Sequence, residues 1–205
     1  DIWEDYIALP RGCEDAVTGL LENKQICYQI EDETNHGESI SVRFKGKLRE
    51  EQETAIENIS QHCNGVLNAT TAFGKTVTAI GLIAKKKVNT LILVHNKALL
   101  EQWKSHLESF LEIDYTEEEV PHKRGRKKAF STFGTLDSGG NTLHGKVDIA
   151  LIQSCFDKND VKPLIRNYGM VLVDECHHVS AVNFERILKF SNAHYVYGLT
   201  ATPIR

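Results

Sequence analysis

The chain has 205 residues, of which 41% are hydrophobic and 25% charged, with a formal net charge of −4. This composition is typical of a folded globular domain and excludes a chain that is disordered throughout, and the absence of a basic surplus means that any nucleic-acid binding must use a local patch. Because no apolar run reaches the roughly 18 residues that span a bilayer and the five cysteines lack CxxC spacing, we expect reduced thiols, a cytoplasmic location and no membrane partner.

Residues 1–46 are predicted to form a small N-terminal α+β unit. Apolar residues recur at helical spacing along one face of a helix, at Cys13, Ala16, Val17, Leu20 and Leu21. Two runs that alternate with period 2, at residues 26–30 and 40–44, flank a polar turn at 35–37 and predict a β-hairpin. A lone helix and hairpin form too small a core, so we expect this unit to pack on the larger domain that comes after it in the chain.

Residues 47–205 are predicted to form an α/β domain. Short apolar runs alternate with helical stretches, the runs at 65–69, 91–94, 148–152, 170–173 and 194–199 and the helices at 75–86, 97–111 and 184–190. This rhythm predicts a mostly parallel sheet that is covered by helices on both faces.

One segment, residues 112–147, breaks the rhythm. It carries an acidic run at 117–119, a basic cluster at 123–128 and four glycines, and we expect a surface excursion with a hairpin around residues 137–141. The basic cluster could attract nucleic acid, or it could be a solvated loop without a ligand.

A phosphate-binding loop is predicted at residues 69–76, between a strand and a helix. Backbone N–H groups at a helix N-terminus attract phosphate, which gives this role to Thr71, Ala72, Phe73 and Gly74. The Lys75 ammonium would reach the terminal phosphates, and the Thr76 hydroxyl would be a ligand of Mg²⁺.

This loop departs from the usual pattern at two positions. Ala69 stands at the first glycine of the pattern, and Ala72 lies where a glycine is common. An alanine forced to positive φ is strained by about 1 kcal/mol, so we expect nucleotide affinity to be modest.

Two carboxylates follow the apolar strand at 170–173. Ligands of open α/β sheets bind at the carboxyl ends of strands, so Asp174 would hold Mg²⁺ through water and Glu175 would orient and deprotonate the attacking water. The alternative is an acidic helix N-terminus that suits the helix dipole. A zinc site at residues 176–178 is disfavoured because adjacent side chains cannot all face one metal.

Two small hydroxyl residues, Thr200 and Thr202, follow the last strand. They could couple the phosphate loop to the carboxylates, although in isolation they form an ordinary Thr-Pro turn.

Taken together and in this order, the motifs resemble those of a superfamily-two helicase or translocase. Residues 69–76, 174–177 and 200–202 resemble helicase motifs I, II and III. Residues 48–52 resemble the element whose glutamine contacts adenine, which is Gln52 here, although Glu51 replaces the usual aromatic residue. The resemblance, which covers residues 48–205, is greatest to XPB-like DNA repair helicases and to the restriction subunits of type III systems.

The resemblance implies the first RecA-like domain of a motor that uses ATP and Mg²⁺ and moves on DNA, with RNA not excluded. Residues 93–103 and 148–154 resemble strand-contacting motifs, and our candidate contacts are Asn96, Lys97 and Ser154. In this family ATP lies between two RecA-like domains, and arginine fingers come from the second. We therefore expect a first domain alone, with negligible turnover.

Two other functions stay open at the level of sequence. One is a different P-loop enzyme, although a GTPase would place an aspartate where Leu99 follows Asn96, Lys97 and Ala98. The other is a non-catalytic module that binds nucleotide or nucleic acid.

Overall fold

The computed structural model describes residues 11–115, 131–175 and 181–201 of the chain. By its internal contacts the chain divides into two units, Asp1–Glu33 and Thr34–Arg205. Residues 34–46, which we had grouped with the N-terminal unit, therefore belong to the second. None of the helices among the described residues has both the length and the apolar character needed to cross a membrane.

The first unit contains the predicted helix. A 3₁₀ turn at Arg11–Cys13 leads into α1, Glu14–Asn23, whose first turn carries the acidic residues Glu14 and Asp15 that favour a helix N-terminus. Residues 26–30 form no strand, so the predicted β-hairpin is wrong.

The other half of that predicted hairpin pairs elsewhere. Strand β1, Val42–Phe44, runs antiparallel to β4, Leu111–Ile113, in a separate two-stranded sheet. The preceding helix ends at Phe110 because the backbone of Leu111 is extended. The alternating pattern at residues 40–44 thus did predict a strand, but its partner lies about 70 residues away in the sequence.

The second unit is built on a seven-stranded sheet. Its order is β2-β11-β10-β3-β7-β5-β6, formed by β2 Asn64–Asn68, β3 Thr90–Val94, β5 Gly134–Asp137, β6 Gly140–Asn141, β7 Val147–Leu151, β10 Met170–Val173 and β11 Tyr195–Thr200. All neighbours pair in parallel except β5 and β6, which form the hairpin predicted around residues 137–141. The mostly parallel sheet is confirmed.

Helices and apolar side chains cover both faces of this sheet. One core contains Ile92, Val94 and side chains of α2, Glu50–Ser60, α3, Lys75–Lys86, and α4, Lys97–Phe110. The other contains Leu91, Leu93 and side chains of α5, Ala181–Ser191. Alternate residues of β3 face opposite cores, which is why a strand buried on both faces is a continuous apolar run.

A further small hairpin lies between β7 and β10. Its strands are β8, Phe156–Asp157, and β9, Asp160–Val161, which pair antiparallel. A 3₁₀ helix at Ile152–Cys155 precedes the hairpin, and another at Pro163–Asn167 follows it. The basic cluster at residues 123–128 lies outside the described residues.

Candidate functional site

The candidate residues lie at or just beyond the carboxyl ends of five neighbouring strands. The phosphate loop follows β2, Thr200 ends β11, Asp174 follows β10, Asn96 follows β3, and Ser154 lies three residues beyond β7. Because these five strands are adjacent and parallel, their carboxyl ends lie side by side. The candidate nucleotide-binding residues lie at the ends of β2, β11 and β10. The candidate nucleic-acid contacts lie after the next two strands, β3 and β7.

The phosphate loop has the shape of an anion site. Residues Thr71–Phe73 form a 3₁₀ turn, and α3 begins directly afterwards at Lys75. Gly74 joins the two with a φ of 81°, a conformation that favours glycine. Neither Ala69 nor Ala72 has a positive φ. The strain that we expected at these two alanines is therefore not there, and they give no reason to expect weak nucleotide binding.

The Lys75 side chain lies across this loop. It is 8% exposed, and its Nζ donates hydrogen bonds to the carbonyl oxygens of Ala69 at 2.9 Å and Thr70 at 3.3 Å. Burial raises the pKa of Asp174, and the positive charge of Lys75 opposes that rise. Thr76 lies half-buried in the first turn of α3.

Gln52 and Arg49 hold the loop from the side of α2. The Gln52 side chain is buried, and its Nε2 donates to the Phe73 carbonyl at 2.9 Å while its Oε1 accepts from the Arg49 backbone N–H at 3.0 Å. The Arg49 guanidinium also donates to the Phe73 carbonyl. A Cβ at Gly74 would lie 2.8 Å from Gln52 Nε2, so any other residue here would have to displace the Gln52 amide as well as adopt a positive φ. Sequence reasoning missed this role of Arg49, although its place three residues before Gln52 was visible.

Asp174 is buried and held by two donors. Its Oδ2 accepts a hydrogen bond from the indole Nε1 of Trp103 at 2.7 Å, and its Oδ1 accepts from the Glu175 backbone N–H at 2.9 Å. The Trp103 hydrogen bond favours the ionised carboxylate, so it also opposes the rise in the pKa of Asp174 that burial causes. Sequence analysis did not assign a role to Trp103. The available signal was a tryptophan on the core face of α4, because a buried indole N–H needs an acceptor.

Glu175 has an unusual backbone conformation. Its φ is 51°, in the left-handed region that few residues other than glycine adopt. Such conformations concentrate at functional sites, where the surrounding structure holds them in place. The residues after it, including 176–178, lie outside the described residues.

The end of β11 contacts the start of the phosphate loop. Thr200 is buried, and its carbonyl oxygen accepts a hydrogen bond from the Ala69 backbone N–H at 3.1 Å. The segments that resemble motifs III and I are thus joined directly through the backbone. Thr202 lies outside the described residues.

The candidate nucleic-acid contacts lie after the remaining two β-strands, β3 and β7. Asn96 and Lys97 are exposed, and the Asn96 Oδ1 caps α4 by accepting the Leu99 backbone N–H at 2.9 Å. Ser154 lies half-buried in the 3₁₀ helix after β7. Gln153 Nε2 donates to the His95 carbonyl at 2.9 Å, which ties the two strand ends together.

The residues at β2 and β10 fit ATP and Mg²⁺ by their chemistry. A hydroxyl from Thr76 and a carboxylate from Asp174 are the oxygen ligands that Mg²⁺ prefers, and Mg²⁺ keeps several waters in such sites. The N–H groups at the start of α3, together with the Lys75 ammonium, supply the positive field that phosphate needs.

Comparisons with known proteins match most of the chain. Residues 45–205 match the family described as "Type III restriction enzyme, res subunit". Putative helicase 109L of Invertebrate iridescent virus 3 is 32% identical over 175 residues, which cover 82% of this chain and 49% of that protein. DNA 3'-5' translocase XPB2 of Sulfurisphaera tokodaii is 26% identical over 210 residues, which cover 99% of this chain and 42% of that protein.

Solved structures share the fold. The UvsW helicase from Bacteriophage T4 superposes with a TM-score of 0.63 at 15% identity, covering 95% of this chain and 72% of that one. The chain spans less than half the length of the two curated relatives named above.

Proposed function

Because this chain belongs to the Res-subunit family of superfamily-two helicases and forms a first RecA-like domain, we propose that it binds MgATP and couples its hydrolysis to movement on DNA. The observation that carries the proposal is the convergence of Lys75, Asp174 and Thr200 on three adjacent strand ends. Burial raises the pKa of Asp174, and the positive charge of Lys75 acts against that rise.

The phosphate groups of ATP would bind at the start of α3. Backbone N–H groups of the loop from Thr71 to Gly74 would contact them, and the Lys75 ammonium would exchange its carbonyl partners for phosphate oxygens. Gln52 would contact adenine through an amide whose position is already fixed against the loop. Arg49 would keep the Phe73 carbonyl out of the phosphate site.

The two carboxylates would have separate roles in hydrolysis. Mg²⁺, when bound, neutralises charge on the phosphates, and Thr76 and Asp174 would hold it. Glu175 would orient the attacking water and accept its proton, because it is more exposed than the buried Asp174 beside it. Thr200 and Thr202 would couple the loop to the carboxylates.

DNA would lie along the ends of β3 and β7. Asn96, Lys97 and Ser154 carry no base-reading geometry of their own, so we propose contacts to phosphates rather than to bases. DNA is favoured over RNA because the translocase from Sulfurisphaera tokodaii is named for DNA.

Turnover by these 205 residues should be very slow. The resemblance stated above implies arginine fingers from a second RecA-like domain, and such a residue would contribute about 10³–10⁵ in rate. Fast hydrolysis by the 205-residue chain that is lost in Glu175→Gln would contradict this part of the proposal.

The test of the nucleotide site is ATP binding by Lys75→Ala. We expect its affinity for MgATP to fall by roughly tenfold or more, because a charge-assisted hydrogen bond contributes over 1.4 kcal/mol. The matched control is Lys85→Ala, which removes a lysine from the same helix at a position paired with Glu57 on the surface. Equal affinity in the two variants, with both folded by circular dichroism, would refute the assignment.

A further inference from the structure

A concave surface follows the candidate nucleic-acid contact Ser154 along the chain. Two residues after Ser154 the chain enters the β8–β9 hairpin and then the 3₁₀ helix at Pro163–Asn167. Residues of these elements and of α5 line an open groove of about 860 Å³. None of the described residues of the helicase-like motifs lines it.

The groove is strongly basic in an acidic protein. Five cationic side chains line it, namely Lys158, Lys162, Arg166, Arg186 and Lys189. Two carboxylates line it as well, Asp157 and Asp160, which leaves a local excess of three positive charges. Because the whole chain carries a net charge of −4, this groove is a concentrated local patch of opposite sign.

Both arginines are held in place by the fold. Arg166 Nε donates to the Phe190 carbonyl at 3.1 Å, and its guanidinium lies 4.2 Å from the centre of the Phe190 ring. Arg186 donates to the Asn159 carbonyl and lies 5.3 Å from the centre of the Phe156 ring. A guanidinium has five N–H donors, so both can bind an anion without leaving these positions.

The lysines of the groove have few internal partners. Among residues 11–115, 131–175 and 181–201, no carboxylate forms an ion pair with Lys158 or Lys162. Lys189 pairs with Glu185 at 2.7 Å on the exposed surface of α5, where an ion pair contributes little. The positive charge is therefore available to a partner from outside.

We propose that this groove binds the sugar-phosphate backbone of nucleic acid, as a contact additional to the strand ends of β3 and β7. The five cations supply the positive charge that a phosphate backbone needs, and the chain enters the groove two residues after the candidate contact at Ser154. The arginines, fixed by ring and carbonyl contacts, bind with a small loss of side-chain entropy. The site goes beyond the proposed motor chemistry, because it involves none of the residues assigned to ATP.

The decisive variant is Lys158→Gln/Lys162→Gln. Each phosphate contact on duplex DNA contributes a slope of about −0.9 to the dependence of log affinity on log salt. At 50 mM salt one contact therefore raises affinity by about 15-fold relative to 1 M salt, where its contribution is about zero. We expect the double variant to bind labelled duplex DNA at least tenfold more weakly than the unaltered protein, with a shallower slope. The matched control is Lys24→Gln/Lys87→Gln, which makes the same change in net charge at two exposed lysines outside the groove.

An opposite effect is expected from Asp157→Asn/Asp160→Asn. Removing the two carboxylates of the groove should strengthen DNA binding and steepen its salt dependence, a result that damage to the fold would not produce. The proposal is overturned if the lysine variant binds DNA like its control, or if the asparagine variant gains no affinity. Binding of labelled poly-glutamate, a model of an acidic protein, is measured with the same variants. The proposal is also overturned if the variants change poly-glutamate binding and leave DNA binding unchanged, which would assign an acidic protein partner. An unchanged DNA affinity would leave the ATP site and its Lys75 test unaffected.

Discussion

The hydrogen bond between Trp103 and Asp174 allows a direct test of how the candidate nucleotide site is held. Trp103 is 1% exposed, and its indole Nε1 lies 2.7 Å from Asp174 Oδ2. Trp103→Phe keeps an aromatic ring in the core but removes the donor. A hydrogen bond to a charged group contributes about 1.5–3 kcal/mol, and the smaller ring leaves a void that costs roughly 1 kcal/mol more. We therefore expect the free energy of unfolding to fall by about 2.5–4 kcal/mol.

Binding of metal should respond as well. The indole fixes the carboxylate that we assign to Mg²⁺, and loss of such a supporting hydrogen bond typically lowers metal affinity by about 10–100-fold. ATP binding by Trp103→Phe should then require a higher Mg²⁺ concentration than binding by the unaltered protein. Titration of Mg²⁺ at fixed ATP measures this directly, and urea unfolding followed by circular dichroism measures the stability.

Tyr197→Phe is the matched control. It also removes one donor from a buried aromatic side chain, the hydroxyl that donates to the His62 carbonyl at 2.6 Å, but its acceptor is neutral. We expect a loss of only about 0.5–1.5 kcal/mol and no change in the Mg²⁺ requirement. If Trp103→Phe costs no more than this control and leaves the Mg²⁺ titration unchanged, the indole does not hold Asp174.

Three other positions can be tested by single substitutions. Asp148→Asn should lower the free energy of unfolding by about 2–5 kcal/mol in urea, because the buried carboxylate accepts three backbone N–H groups and the Tyr168 hydroxyl, which an amide cannot all satisfy. Gly74→Ala should weaken ATP binding in a titration, since its Cβ would meet Gln52 and its φ is positive, whereas unchanged affinity would show that the loop adapts. Asn96→Ala should cost about 1 kcal/mol of thermal stability through loss of the helix cap, while Asn96→Asp keeps the cap and should weaken only DNA binding.

Much of the α/β domain could be predicted from local pattern. The helix at 75–86 and the strand at 170–173 were predicted with the bounds that the structure has. Both succeed for a physical reason. The helix is preceded by Gly74, whose positive φ marks the boundary before Lys75, and a strand buried on both faces has to be apolar throughout.

The prediction of an N-terminal hairpin was wrong because an alternating pattern does not specify which segment a strand pairs with. Ile26, Tyr28 and Ile30 alternate with polar residues, yet 41–54% of each side chain is exposed and none lies in a strand. Val42 has the same pattern and does lie in a strand, opposite Ile113. A period of two shows that one face can be buried, but which segment buries it depends on contacts that are distant in sequence.

The sequence by itself determined which chemical groups stand at the strand ends: Lys75, Asp174, Glu175 and Thr200 follow apolar runs whose length and composition specify strands. Only the tertiary structure decided which of these ends are neighbours, because the order of strands in a parallel sheet is set by helix packing and not by local propensity. The same holds for the support beneath them. Trp103 and Asp174 are 71 residues apart, and they meet because α4 packs on β3, the strand next to β10.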